Sequence, residues 1–303
     1  MKTSADLIES VRTTITAPNN QTLLTEDRLL ALANEEIDSK VVPMMCSLNQ
    51  DYFVTMEEES MVADTAEYDI PYRSVGRTLR DLKVRDSANS VRDVVKVALE
   101  DAHLSSHQSL PLSFYFKGDQ IVMVPTPIDT QWTLQKFYLL KPNSLVQLSK
   151  AGKVTAVSGN TLTLDNVPSA FVASATIDII QGKQGNRLRA MDQSITNVSG
   201  SQITVATVPT GTVIGDYVGI SCESPVIQLP DEIFPYLTFL TSKRCLEALG
   251  DYEGSNALEK EIQIRKKNCE YLLAPRIEGE STKILQRFGL LRGNRSRRTR
   301  GFF

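Results

Sequence analysis

The chain has 303 residues, of which 41% are hydrophobic and 23% charged, a composition that fits one large globular domain or two smaller ones. The formal charge of -3 is unevenly spread: residues 281–303 hold seven basic side chains and no acid, so the preceding 280 residues carry about -10. This distribution argues against a uniformly basic nucleic-acid-binding body and predicts an acidic body with a basic tail.

The cysteines and histidines give no metal or redox signature. Four cysteines are far apart and lack C-x-x-C spacing, so we expect them to be reduced. His103 and His107 have the spacing of half a zinc finger but no nearby cysteine pair, and we interpret them as polar surface residues. No metal or cofactor is expected. The absence of a signal-peptide pattern and of a stretch of ~20 apolar residues predicts cytoplasmic synthesis and no membrane partner.

The N-terminal region predicts two helices. The apolar residues between Leu7 and Ile15 recur at helical spacing, and Pro18 ends this first helix. A second helix begins at Thr25, a good N-cap residue, and continues until Pro43 kinks or ends it.

The following residues mix extended runs with one predicted helix. Short strands are expected at 52–56 and 78–84, and a third helix at 90–104, where a possible capping box precedes valines at helical spacing. Further strands at 112–116 and 120–124 form a predicted hairpin around Gly118, and another strand is expected at 132–140.

A sequence repeat dominates the next segment. Residues 155–164 recur as 196–205 at a constant offset of 41 residues, and the likeness continues downstream without a gap. Each copy predicts a hairpin turned at Ser-Gly, then a proline-containing loop and a further strand. Two copies are too few for a solenoid, so we expect them to pair into a small closed barrel or sandwich over 147–224.

Two helices follow, one opening near Pro230 and ending at Gly250, and one after it. The predicted fold class is therefore α+β: a helical bundle with a small β-sheet, built by both chain ends, that carries an inserted β barrel or sandwich. The expected units are residues 1–146 with 225–280, the insert 147–224, and a basic extended C-terminal arm at 281–303.

The sequence gives little support for catalysis, and we predict a protein that is not an enzyme. With only two histidines, both in one polar loop, a Ser-His-Asp or Cys-His arrangement is poorly supported. Residues 182–185 lack the spacing and the Lys-Ser/Thr ending of a phosphate-binding loop. Glu57, Glu58 and Glu59 are consecutive in an extended run, so they point to opposite faces and indicate a solvated strand edge.

The C-terminal tail is the one candidate binding segment. It interleaves basic and aromatic side chains that can contact phosphates or an acidic groove of a partner. A solvated, disordered end is the other interpretation, but two terminal phenylalanines favour docking into an apolar pocket. The candidate residues are Lys283, Arg287, Arg292, Arg295, Arg297, Arg298, Arg300, Phe302 and Phe303.

Several ordered motifs resemble the head-tail adaptor family of short-tailed phages, whose members form a ring beneath the portal. The motifs that carry this resemblance are Tyr68-Asp69-Ile70-Pro71 leading to Arg73, Phe114-Tyr115-Phe116 through Gly118 to Pro127, Gln131-Trp132 through Lys141-Pro142, and Leu229-Pro230-Asp231-Glu232 through Ala248-Leu249-Gly250-Asp251. They cover roughly residues 20–145 and 225–280, whereas the 147–224 insert departs from the smallest family members.

The resemblance implies a structural virion protein at the head-tail junction. It implies a homo-oligomeric ring, expected to be twelvefold, around a channel for viral double-stranded DNA. The C-terminal arm, Lys283 to Phe303, would grip the portal protein, and other tail or ring proteins would be neighbours. An acidic body suits such a channel, because a negative wall lets DNA slide.

Two rival interpretations remain. A nucleic-acid-binding packaging or regulatory protein would use the basic tail on DNA, although no helix-turn-helix or zinc module is evident. A carbohydrate- or receptor-binding tail component would use the repeated insert, but that segment contains only Phe171 and Tyr217 as aromatic residues.

Overall fold

The computed structural model describes residues 2–16, 23–101, 111–128, 130–182 and 188–273. These residues form a mixed α+β fold that contains a closed six-stranded barrel, two four-stranded sheets and a group of helices. The helices are α1 (Ser4–Thr14), α2 (Glu26–Glu36), α3 (Val42–Leu48), α4 (Phe234–Leu249) and α5 (Tyr252–Leu272). The strands are β1 (Val54–Ser60), β2 (Glu67–Asp69), β3 (Ser74–Arg85), β4 (Val91–Asp93), β5 (Val95–Lys96), β6 (Ser113–Lys117), β7 (Gln120–Val124), β8 (Thr133–Leu140), β9 (Ser144–Leu145), β10 (Gly152–Ser158), β11 (Thr161–Leu164), β12 (Thr176–Ile180), β13 (Leu188–Ser199), β14 (Gln202–Val205), β15 (Tyr217–Ile220) and β16 (Glu223–Ser224).

Helices from both sides of the barrel in sequence share one apolar core. Helix α1 starts with a capping box, in which Thr3 and Asp6 each accept a hydrogen bond from the other's backbone N–H. Both α1 and α2 pack on α4, which also packs on α5. A π-helical turn at Ile37–Val41 joins α2 to α3, so the helical run continues past Pro43 to Leu48 and does not end at the proline. Pro43 has no N–H to donate to the preceding turn, and the irregular π-helical turn lies directly before it.

The chain enters and leaves the barrel through two adjacent strands. Strands β9 and β16 pair in parallel, so the segment before the barrel lies beside the segment after it. Asn34 of α2 fastens this pair to the helices, because its side chain donates to the Leu145 carbonyl (3.1 Å) and accepts from the Leu145 N–H (2.8 Å).

Residues 54–140 form more β structure than the small sheet expected. One antiparallel sheet has the order β1-β8-β3-β4, and a second has the order β2-β7-β6-β5. The two sheets share a core that includes Leu82 and Leu134 from the first and Ile121 and Met123 from the second. The predicted hairpin around Gly118 and the predicted strand at 132–140 are confirmed as β6, β7 and β8.

The predicted third helix at 90–104 is wrong for its described residues. Strand β4 pairs with β3 of the first sheet, while β5 pairs with β6 of the second, so this segment crosses between the sheets. Val94 is buried at the crossing and its N–H donates to the Leu82 carbonyl. β-Branched valines favour extended backbone, and a short apolar run does not distinguish a helix from a strand. Residues 102–104 lie outside the described part of the chain.

The repeat predicted a closed barrel or a sandwich, and the structure is a closed barrel of order β10-β11-β14-β13-β12-β15. The two copies are related feature by feature at the same offset. Each hairpin turns at a glycine in the left-handed region, Gly159 (φ 56°) or Gly200 (φ 58°), and each has a bulge at the equivalent place. Strand β11 pairs with β14, and β12 with β15, across a pseudo-two-fold axis.

Candidate functional site at the barrel junction

A buried ion-pair network joins the barrel to the rest of the protein. We name it the Arg73 junction, and it consists of Tyr72, Arg73, Asn143, Asp178, Asp192, Ser221 and Cys222. Tyr72 and Arg73 lie in the loop before β3, and Asn143 precedes β9. The four other residues belong to the barrel strands and to the turn that leaves them.

Asp178 is the centre of the junction and is completely buried. It lies in β12, and its carboxylate accepts two hydrogen bonds from the Arg73 guanidinium, at 2.7 and 2.9 Å. The Asn143 side chain donates a third at 2.6 Å, and the backbone N–H groups of Asp192 and Cys222 donate two more. The desolvation cost of a buried carboxylate is offset here by a bidentate cation and three further donors.

Two residues with unusual backbone conformations donate hydrogen bonds to the Asp178 carboxylate. Asp192 (φ 54°) and Cys222 (φ 67°) are non-glycine residues in the left-handed region, which L-residues rarely adopt. Each of these residues directs its N–H at Asp178, at 3.0 and 3.1 Å. The strain at these two positions is therefore explained by the hydrogen bonds that it makes possible.

A second carboxylate completes the network at its partly exposed side. Asp192 accepts from the Arg73 guanidinium (2.7 Å), from the Tyr72 hydroxyl (2.8 Å) and from the Ser221 hydroxyl. Burial alone would raise the pKa of Asp192, but the hydrogen bonds from Ser221, Tyr72 and Arg73 lower it below its usual value. Burial alone would likewise lower the pKa of Arg73, but its hydrogen bonds to Asp178 and Tyr72 raise it above its usual value. Both groups are held in their charged forms.

The geometry indicates that the Arg73 junction has a structural role, which is to hold the barrel against the rest of the protein. Every charged group of the Arg73 junction already has a partner within it, and the Arg73 side chain is only 4% exposed. A group that must exchange protons with a substrate needs a free position near it and a pKa near the working pH. A structural ion-pair network, in contrast, is most stable when its charged groups are buried and each has a partner, as in the Arg73 junction.

A second buried cation ties the two sheets of the 54–140 region together. Lys136 of β8 is 2% exposed, and its ammonium donates to Glu59 of β1 (2.5 Å) and to the Asp69 carbonyl of β2 (2.7 Å). Glu58 points to the other face, where Arg85 and Gln135 donate to it. The prediction that consecutive glutamates of this run face opposite sides of an edge strand is confirmed.

Several residues of the motifs that carry the resemblance pack in the core of this region, whereas the candidate arm lies outside the described residues. Tyr68, Ile70, Phe114 and Met123 belong to the core between the two sheets, and Trp132 packs against it. Arg73 follows the Tyr68 motif and enters the junction. The arm residues Lys283 to Phe303 and the pair His103 and His107 lie outside the described residues.

The barrel side of the Arg73 junction was missed by the sequence analysis. A signal exists, because Asp178 interrupts the apolar run Thr176–Ile180, and a lone acid in a buried strand requires a cation. The repeat gives a second signal. The positions equivalent to Asp178 and Asp192 in the other copy are Gly219 and Ala151, so only one copy has the acids that meet Arg73.

Comparison with protein-family models finds no matching family, and comparison with curated proteins finds no significant match. None of the helices in the described residues is long and apolar enough to cross a membrane. Within the same residues, no group of three or more His, Cys, Asp or Glu side chains is arranged to hold a metal ion.

Proposed function

We propose that this protein is a structural subunit of a phage-like virion, an adaptor that builds the ring joining the portal to the tail. Its proposed work is assembly and not catalysis. In this proposal the body surrounds a channel for double-stranded DNA, and the C-terminal arm binds the portal.

The observation that carries the proposal is that three of the four motifs behind the family resemblance meet in one core, while Leu229 of the fourth motif lies in the helical core. Motifs that are up to 64 residues apart in sequence, from Tyr68 to Trp132, supply side chains to one core between the two sheets. Arg73, which follows the first of these motifs, donates hydrogen bonds to Asp178 of the barrel in the Arg73 junction. Motifs that build one core support a common fold more strongly than motifs scattered over a surface would.

The Arg73 junction supports the same proposal. A ring subunit must transmit force between its parts without deforming, and a saturated buried ion-pair network resists relative motion of barrel and body. The charge distribution agrees as well, because an acidic body repels DNA while a basic arm can find an acidic groove on a partner.

The test is electron cryo-microscopy of the purified protein mixed with its portal, using the full chain and a version ending at Glu280. The proposal expects a ring stacked on the portal with the full chain and none with the shortened chain. A matched variant that changes the seven basic residues of the arm to glutamine, but keeps Phe302 and Phe303, separates charge from apolar docking.

The alternative function, a nucleic-acid-binding protein, gives a different result. Phosphate contacts predict tail-dependent DNA binding that weakens steeply with salt and survives when the tail is fused to another protein. If neither version binds the portal while the fused tail binds DNA in this way, the adaptor proposal is wrong and the alternative is supported.

A further inference from the structure

Strand β1 is an open edge of the first sheet. It pairs with β8 over all seven of its residues without a bulge, and no other strand of the described residues lies on its second side. Edge strands of this length usually carry a bulge or a proline that prevents further pairing. Within the described residues, the protection that this edge shows is the charge of Glu57, Glu58 and Glu59.

The direction of the free backbone groups follows from the ladder. Leu140 donates to the Phe53 carbonyl and Met61 donates to the Trp132 carbonyl, so the odd-numbered residues of β1 bond to β8. The N–H and C=O groups of Val54, Met56, Glu58 and Ser60 therefore point away from the sheet, and all four residues are exposed.

The opposite edge of the same sheet is β4. Asp86 donates to the Ser90 carbonyl and Val94 donates to the Leu82 carbonyl, so the even-numbered residues face β3. The backbone groups of Val91 and Asp93 point outward by the same alternation. Because the sheet has four antiparallel strands, β4 runs opposite to β1, and a second copy can continue the sheet in antiparallel order.

Among the described residues, each of these edges has one charged side chain without an ion-pair partner, and the two lie on the same face of the sheet. Glu57 makes no hydrogen bond or ion pair within the described residues, although its neighbours Glu58 and Glu59 are both paired. Arg92 is exposed and lies 6.0 Å from the Trp132 ring, with no carboxylate partner in the same part of the chain. Glu57 and Arg92 both lie on the face toward the core, because Glu57 is opposite Lys136 and Arg92 is opposite Val84.

We propose that β1 of one copy pairs with β4 of the next, head to tail, with Glu57 opposite Arg92. Two registers place a glutamate opposite Arg92 while matching the free backbone groups. The one that uses Glu59 also sets Glu58 against Asp93, and like charges directly opposite are destabilising. The register that uses Glu57 sets Glu58 beside Val91 and avoids this repulsion.

The same charges act against a symmetric pairing of two β1 strands. An antiparallel β1–β1 pair centred on this run would bring glutamates of the two copies together. A heterologous contact between different surfaces forms a ring when its rotation closes, whereas a symmetric contact stops at a dimer. The inference rests on the proposed ring-forming function and gives that ring its subunit interface.

The test is a charge swap in the full-length chain. We would prepare Glu57→Arg, Arg92→Glu and the double variant, with Glu9→Arg and Lys267→Glu as controls that make the same charge changes on exposed helix positions. Oligomer size is measured by sedimentation of the free protein over a range of concentrations, and ring occupancy by electron cryo-microscopy with the portal. Each single variant should lose assembly at least about tenfold, the double variant should regain most of it, and both controls should assemble like the original chain.

Each outcome distinguishes this inference from the proposed function. Rings that form on the portal equally well with either single variant would overturn the edge pairing and leave the adaptor function standing. Charge-dependent oligomers that do not bind the portal would support the pairing and reject the adaptor function. A chain that stays monomeric both alone and with the portal, or a double variant that does not recover while the controls assemble, overturns the pairing.

Discussion

Arg73 carries the strongest prediction at the scale of single residues. Replacing it by methionine leaves Asp178 buried without its cation, and breaking a buried ion pair in this way costs about 3–5 kcal/mol. Arg73→Lys keeps the charge but loses the two-pronged geometry, so it should fall between the original chain and Arg73→Met. The free energy of unfolding in urea checks both values.

A matched control comes from an exposed ion pair of the same length. Arg80 and Asp51 are 2.7 Å apart, but their side chains are 42% and 64% exposed, so Arg80→Met should cost at most about 1 kcal/mol. Equal costs for Arg73→Met and Arg80→Met would contradict the central role of the Arg73 junction.

The lowered pKa of Asp192 predicts a stability change in acid. A carboxyl whose pKa is depressed by folding adds stability above its ordinary value of 3.8, and this contribution is lost as the pH falls through the folded-state value. The melting temperature of the original chain should therefore fall more steeply below pH 3.8 than that of Asp192→Asn. Parallel curves for the two proteins would show that Asp192 is not coupled to folding.

The cysteines offer a chemical readout of the same region. Cys245 is fully buried and burial raises its pKa to about 12, and burial also raises the pKa of the buried Cys269. Cys222 is only half-buried, so a thiol reagent should modify it well before these two in the native protein. Arg73→Met should speed the labelling of Cys222 while Cys245 stays protected, as measured by mass spectrometry over time.

At the scale of elements, the internal duplication predicts that equivalent changes have equal effects. Gly159 and Gly200 turn the two hairpins at positive φ, and an added Cβ meets nothing within 4 Å at either position. Gly159→Ala and Gly200→Ala should therefore each cost about 1 kcal/mol, from backbone strain alone. At Gly219 a Cβ would lie 2.6 Å from the Glu223 carbonyl oxygen, so Gly219→Ala should cost clearly more. Urea unfolding of the three variants tests the ranking.

The sequence predicted the fold best where the pattern within one segment restricted that segment to few structures. The constant offset of the repeat predicted a small closed barrel or a sandwich, because two copies are too few for a solenoid, and the two copies form a closed barrel. The sequence-based prediction failed at residues 91–96, where the fold of the segment depends on two sheets that are remote in sequence. The Arg73 junction was out of reach for a similar reason, since 105 residues separate Arg73 from Asp178 and no pattern links the two.

At the scale of the whole molecule, the barrel has an apolar core of its own, and the remainder of the described chain has two more. Residues such as Ile177 and Ile203 fill the barrel, while another cluster joins the helices and a third lies between the two sheets. A part with its own core can unfold alone unless its contacts to the rest are strong. The Arg73 junction, together with the paired strands β9 and β16, supplies these contacts.

Hydrogen exchange measured by mass spectrometry can therefore detect whether the junction couples the parts. In the original chain, peptides from β12 and from β8 should exchange with similar free energies of opening, because barrel and body open together. In Arg73→Met the β8 peptides should exchange faster by the loss of global stability, about 3–5 kcal/mol in opening free energy, and the β12 peptides by more, because the barrel can then open alone. Arg80→Met should change the opening free energy of both sets of peptides by at most about 1 kcal/mol. If Arg73→Met accelerates hydrogen exchange equally in the β8 and β12 peptides, the Arg73 junction stabilises the protein as one cooperative unit. The barrel then has no separate opening.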